Sequence, residues 1–366
     1  MKYIFGAIVI IHGLIHILGF VKGFELKEVK ELTLPISRQT GIFWLAATFI
    51  LIAYGVLYFT NFQHIWLVGF VAVVVSQILI VMLWRDAKFG TLPNTIILAV
   101  SIVSFGHYNF QKHIQKEIST LLTKNIIKEN RILTESDISE LPVPVKNWLQ
   151  NSGAVGKPFI SVGRVTQRAQ LQMRPEQENW MTANAIQYST IDYPGFIWTV
   201  DVTMNGLLKF QGRDKFEEGK GQMLIKLNSL FNIVNEQGEK LDEGSLQRYL
   251  GEMVWFPSLA VSPFITWEQI DETTAKATMT HNGSKGSGTF YFNSGGDFIK
   301  FSALRFNGNE PDAKRYEWVF EVLDYKTFEG IKVPSQMTAT WKLENKDWTW
   351  LKLEVTDIKY NKNASR

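Results

Sequence analysis

The sequence predicts an α+β protein: a four-helix transmembrane bundle followed by an open antiparallel β half-barrel with one or more helices in its concave face. Three observations lead there. Residues 1–108 hold four apolar stretches with no Asp, Glu, Lys or Arg inside them. From Lys157 onward, apolar and polar residues alternate between close-set turn signals, the pattern of half-buried strands. One segment in that second part, Gly244–Phe256, carries its apolar residues at helical spacing instead.

The four stretches are Tyr3–Phe20, Gly41–Phe59, Ile65–Trp84 and Leu92–Tyr108. Each has roughly the 17–20 residues a helix needs to cross ~30 Å of hydrocarbon. No clean small-x-small cleavage site follows the first, so it reads as a retained span. Charge divides at a similar place. Residues 1–128 hold 11 Lys/Arg against 5 Asp/Glu, and residues 129–366 hold 27 against 30. The positive half suits anionic lipid flanks, with the lipid bilayer as its partner. The mildly acidic half lacks the basic face that nucleic acid demands. The chain has no cysteine, which excludes thiol catalysis, disulfides and zinc–thiolate sites.

Loop one carries Lys22, Lys27, Lys30 and Arg38, and loop three carries Arg85 and Lys88, while Asn61–His64 between spans two and three has no Lys or Arg. Positive-inside logic puts loops one and three in the cytoplasm and the C-terminal domain outside it. Lys112, Lys116, Lys124 and Lys128, after span four, run against that orientation.

His12 and His16 share one face of span one. Ionisable groups at that depth are expensive and often functional, which raises a haem, metal or quinone site or a proton or ligand path. The expected reading is structural hydrogen bonding between helices, with Gly13 and Gly19 allowing close approach. No carboxylate lies in the spans to support a proton relay. No cofactor is expected.

Residues 109–140 read as an amphipathic helix and linker. Phe110, Ile114, Ile118, Leu121, Leu122 and Ile126 recur at helical spacing with lysines between them. Such a helix either lies along a membrane surface or packs as a stalk on the following domain. Asn130–Pro144 reads as a connector, and residues 141–362 as the β-rich domain.

Eleven strands are expected there: Phe159–Gln172, Trp180–Ser189, Ile197–Met204, Leu207–Phe216, Gly221–Ile225, Ala275–Thr280, Gly286–Phe292, Phe298–Phe306, Tyr316–Tyr325, Val333–Leu343 and Thr349–Tyr360. Turn signals stand at Asn205-Gly206, Gln237-Gly238, Asn282-Gly283, Gly295-Gly296-Asp297, Asn307-Gly308 and Glu329-Gly330. Connections this short imply antiparallel pairing. In the helix, Leu246, Tyr249, Leu250, Met253 and Val254 form the apolar face and Gln247, Arg248 and Glu252 the polar one. Asp242 or Ser245 is the expected cap and Pro257 the stop. Nine of the twelve tryptophans fall in this half, enough either to fill a β core or to line a cavity for an apolar ligand.

Several blocks carry a resemblance. Gly206-Leu-Leu-Lys-Phe-Gln-Gly-Arg-Asp-Lys-Phe216 with Gly219-Lys-Gly-Gln-Met223, and above all Gln247-Arg-Tyr-Leu-Gly-Glu-Met-Val-Trp-Phe-Pro257, resemble a family of uncharacterised bacterial membrane-anchored proteins. Phe328-Glu-Gly-Ile-Lys-Val-Pro334, Trp341 and Val355-Thr-Asp-Ile-Lys-Tyr-Asn361 extend the likeness over roughly residues 141–361. In general shape the domain is similar to periplasmic lipoprotein-carrier half-barrels. The resemblance implies a bacterial protein and transfers no activity, while the spans and loop charges give the expected location, a multi-pass bacterial inner-membrane protein with a periplasmic domain. Within its most specific block, Arg248, Tyr249, Glu252, Trp255 and Phe256 are the expected ligand-binding residues for a lipid or apolar small molecule.

Catalysis has weaker signals. His281, in the turn Thr280-His-Asn-Gly283, sits where a base is hard to hold rigidly. Asp201, Asp214, Glu217 and Glu252 offer a carboxylate pair for hydrolysis, though such residues at strand ends are usually solvated charges. Gly283-Ser-Lys-Gly-Ser-Gly288 lacks a strand-loop-helix setting and reads as a hairpin loop, not a phosphate cradle. The expected function is a membrane-anchored envelope protein whose half-barrel binds a lipid-like or apolar ligand at the membrane surface. A hydrolase using carboxylates in the same cleft and a non-enzymatic structural or interaction module are the alternatives.

Overall fold

A computed structural model describes residues 2–60, 62–125, 131–203 and 208–362. Asn61, Ile126, Lys128, Asn130, the Asn205-Gly206 turn and the strand ends at Met204 and Leu207 lie outside the described residues. The chain divides into two compact units, residues 1–112 with 228–230, and residues 113–227 with 231–366.

In the first unit, helices α1 (Lys2–Gly23), α2 (Arg38–Leu57), α3 (Ile65–Met82) and the start of α4 (Thr91–Thr123) form the four apolar segments. All four are long and apolar enough to cross a membrane, by length and composition. Ile11, Ile15, Phe43, Phe49, Val74 and Ile78 are exposed, an arrangement stable in hydrocarbon and costly in water. Glycine lets α1 meet α2: a Cβ on Gly19 would stand 2.3 Å from the Trp44 ring, and one on Gly13 would stand 3.1 Å from Leu51 Cβ. Ser37 caps α2 through its hydroxyl, which accepts from Thr40 N–H at 3.1 Å.

The amphipathic stretch after span four is not a separate helix. α4 continues unbroken to Thr123. Its last turns pack on the β-rich unit: Ile118 and Leu121 are buried, and Glu117 pairs with Arg213 at 3.1 Å and Lys215 at 3.2 Å. Of the two expected placements, these contacts match the stalk. The segment read as a connector is partly ordered. Thr134 and Asp137 form a capping box on a short turn, Glu135–Ile138, and α5 (Val143–Asn151) buries Trp148.

Among the described residues, thirteen strands build one antiparallel sheet, open at both edges. They are β1 (Val162–Leu171), β2 (Met181–Thr190), β3 (Gly195–Thr203), β4 (Lys209–Glu217), β5 (Lys220–Leu227), β6 (Phe231–Gln237), β7 (Ile265–Gln269), β8 (Thr274–His281), β9 (Ser284–Phe292), β10 (Phe298–Phe306), β11 (Arg315–Phe328), β12 (Ile331–Lys342) and β13 (Asp347–Tyr360). Their order is β6-β5-β4-β3-β2-β1-β13-β12-β11-β10-β9-β8-β7. The two strands missing from the expectation, β6 and β7, are the two edges. Phe231 and Ile233 on β6 are exposed, and β7 is five residues long, so neither carries a clean alternation. The turns at Asn282-Gly283 and Glu329-Gly330 have positive φ at both residues (45° and 84°, 47° and 83°), which the twist of two-residue hairpins requires.

Helix α6 (Glu239–Gly251) lies in the concave face, against β4 and β5 of one arm and β8, β9 and β10 of the other. Three expectations are corrected here. Gly238 is not a hairpin turn; it stands before the helix at φ 135°, so α6 begins earlier than Gly244. Asp242 therefore falls inside the helix and does not cap it. Its carboxylate accepts from Gly221 N–H at 2.8 Å and Lys220 Nζ at 2.9 Å. On the polar face, Gln247 and Glu252 are buried along with Leu246 and Leu250, because the sheet wraps the helix from both sides. Two 3-10 turns, Glu252–Trp255 and Pro257–Val261, follow. The arms also meet directly, Ser284 Oγ donating to Gly219 O at 2.6 Å.

Candidate functional site

Between α6 and the inner face of the sheet lies a cavity of about 250 Å³. Six of the nine tryptophans of this half line it: Trp198, Trp255, Trp318, Trp341, Trp348 and Trp350. Strand register puts them there. Trp318 on β11 pairs with Trp341 on β12, which pairs with Trp348 on β13, so three indoles share one row across the sheet. Ala339 and Thr340 face Leu351 and Thr349, which leaves Trp350 as an extra residue in β13. That bulge brings Trp350 and Leu351, consecutive in sequence, onto the same cavity wall.

Two arginines reach the cavity from opposite sides. Arg248, on α6, is held through all three of its nitrogens. Its Nη1 donates to Asp214 Oδ2 at 2.9 Å, Nε to Glu252 Oε1 at 2.8 Å and Nη2 to Gln187 Oε1 at 3.2 Å. Gln187 Nε2 closes the ring by donating to Glu252 Oε2 at 2.7 Å. The guanidinium also lies over the rings of Phe196 and Trp198. Burial pushes the Asp214 carboxyl above its ordinary range, with Arg248 pulling it back.

Arg305, on β10, differs. Its guanidinium carbon lies 4.4 Å from the Trp318 ring centroid, yet it makes no hydrogen bond or ion pair with any described residue. Burial, and then the like charge of Arg248, hold its pKa down at about 10. Four buried donors on this wall lack an acceptor: Arg305 Nε and the Nε1 atoms of Trp318, Trp348 and Trp350. Trp198 and Trp255, on the same cavity, are satisfied by Gln167 Oε1 at 2.9 Å and Pro334 O at 3.0 Å.

Of the residues expected to bind ligand, Arg248, Glu252 and Trp255 line the cavity. Tyr249 and Phe256 sit in the core behind it. The Tyr249 hydroxyl donates to Thr190 O at 2.5 Å, and Phe256 packs edge-on to Tyr360. Sequence reasoning missed Arg305. The available signal was phase: on β10 it alternates with Phe301 and Ala303, both buried, so a charge stands at an inward position.

The carboxylates considered for catalysis are not all assembled. Asp214 and Glu252 meet on Arg248, Glu217 pairs with Lys124 at 2.7 Å, and Asp201 is exposed on β3. His281 is buried edge-on to Phe264, away from the cavity wall. In the helical unit, His12 and His16 join a polar network. His12 Nε2 and Asn94 Oδ1 are 2.9 Å apart, as are His16 Nε2 and Ser76 Oγ, and Asn94 Nδ2 donates to Ser76 and Gln77. Among the described residues, no group of three or more His, Cys, Asp or Glu is placed to hold a metal ion.

Residues 131–353 match the model of a family of unknown function, DUF6544. No curated protein matches the chain. Among solved structures it is similar to a LolA superfamily protein from Nitrosomonas europaea, with 10% identity, a TM-score of 0.34, and coverage of 61% of this chain and 96% of that chain.

Proposed function

The chain belongs to the DUF6544 family of unknown function, and we propose that its β half-barrel binds a small, largely apolar ligand in the tryptophan-lined cavity. One observation carries the reading: six tryptophans line a space of about 250 Å³ rather than filling it. Protein interiors are normally close-packed. Apolar space left unfilled costs stability, on the order of 24 cal/mol per Å³ where it stays dry. A ligand that fills the space removes that cost.

The rest of the reading follows from the sequence. Residues 1–108 anchor the chain in a bacterial inner membrane, residues 109–140 join the halves, and residues 141–362 hold the ligand at the membrane surface. The lysines and arginines of loops one and three support an extracytoplasmic β domain. Hydrolysis by carboxylates is the weaker alternative, because Asp214 and Glu252 are both engaged by Arg248.

The test uses the full chain and the apolar dye N-phenyl-1-naphthylamine, which accepts excitation energy from tryptophan. The expected result is saturable dye emission excited through tryptophan, reduced when Leu353→Phe adds bulk to the cavity wall. An equal response from the variant would place the dye elsewhere and remove the support for a cavity site.

A further inference from the structure

The unsatisfied atoms of the cavity share one sign. Among its described lining residues, the buried polar atoms without a partner are all donors: Arg305 Nε and the indole N–H groups of Trp318, Trp348 and Trp350. Buried donors are rarely left unpaired, and four in the lining of one cavity call for acceptor atoms. Arg248 contributes no free charge, since Asp214 and Glu252 both hold it. Arg305 has no such partner and is a cation facing the cavity. α6 makes room for it with glycine: a Cβ on Gly244 would stand 3.2 Å from Arg305 Nη2. The rest of the wall, including Phe320, Leu351 and Leu353, is apolar.

We propose that the ligand is an anionic amphiphile. Its charged oxygen headgroup, a carboxylate or a phosphate, lies on Arg305 and accepts from the indoles of Trp318, Trp348 and Trp350. Its apolar body fills the space against the remaining aromatic wall. Planar guanidinium and fixed N–H donors suit an oxyanion, and desolvation at this depth strengthens each bond. This rests on the proposed cavity function and specifies the chemistry of its ligand.

The test titrates the full chain, in phosphatidylcholine nanodiscs, with dodecanoate, dodecyl phosphate, dodecanol and inorganic phosphate, reading tryptophan emission. One of the two charged amphiphiles should bind at least about tenfold tighter than dodecanol, the scale of one hydrogen-bonded charge. Whichever binds tighter identifies the headgroup. Arg305→Gln should abolish that preference and Arg305→Lys should keep part of it. If Arg305→Gln does not fold, Trp350→Phe carries the test: it keeps the ring, removes one donor and should reduce the preference. Equal affinity for dodecanol and both charged amphiphiles would overturn the headgroup assignment and leave the apolar cavity standing. Inorganic phosphate binding as tightly as dodecyl phosphate would overturn the amphiphile. No response to any ligand would remove the cavity reading and this inference together.

Discussion

Replacing Arg248 with Met should be among the most damaging single changes in the β domain, with a cost that depends on pH. From the sequence, Arg248 lies opposite the apolar face of the helix, so its loss is expected to weaken ligand retention while barely altering stability. In the structure its side chain is 16% exposed and holds Asp214 and Glu252, 22% and 8% exposed. Removing one partner of a buried charge network costs ~3–5 kcal/mol, because the remaining charges lose their compensation. For a domain of this size each kcal/mol moves the melting temperature by about 2–4 °C, so the expected loss is about 6–20 °C. With Arg248 gone, proton uptake is one way to relieve the Asp214 carboxylate. Burial already raises Asp214, and loss of Arg248 raises it further. A carboxyl whose folded pKa lies above its unfolded value stabilises the fold below the unfolded pKa and loses that contribution as pH rises through the folded one. The deficit of Arg248→Met should therefore be larger near about pH 7.5 than near about pH 5.5. Thermal unfolding of the full chain, followed by tryptophan emission at both pH values, measures it. Adding Asp214→Asn and Glu252→Gln should restore most of the loss, since an uncharged trio has nothing left to compensate. A deficit below about 1 kcal/mol, the range of a surface ion pair, would refute the reasoning, as would a deficit independent of pH.

Three further outcomes are expected. Leu250 is fully buried on α6, so Leu250→Ala should cost ~2–5 kcal/mol by the same melting assay, and no loss would make the helix a detachable element. The double change His12→Asn and His16→Asn should leave the visible absorption spectrum of the purified protein unchanged; a Soret band in the wild type that disappears in the variant would make the helical unit a haem carrier. A cysteine replacing Ser294 should react with a membrane-impermeant thiol reagent in spheroplasts, and labelling only after lysis would reverse the proposed orientation.

Much of the architecture is legible in the residues because each kind of burial leaves its own periodicity. Uncharged runs mark the four long helices, and period-two alternation with Asn-Gly and Glu-Gly turns marks eleven strands. β6 and β7 escape notice because an edge strand needs little apolar alternation. The helix start is misread because Asp242 resembles a cap, while its carboxylate instead serves the β4–β5 turn across the fold, a long-range contact no local pattern records. The tryptophan surplus points to a cavity, but which indoles line it depends on pairing register and on the extra residue at Trp350. Arg248 and Glu252 are found through their four-residue spacing. Arg305 is passed over because a lone arginine near a strand end reads as solvated until the neighbouring arm is in place.

The central claim is that the half-barrel carries a bound molecule in its tryptophan-lined space. Mass spectrometry of solvent extracts from the purified full chain, compared with the same preparation of Leu353→Phe, tests it most directly. The account predicts one apolar or amphiphilic species near one molecule per chain in the wild type, depleted in the variant. A wild-type extract holding only bulk membrane lipid, identical to that of the variant, would contradict it.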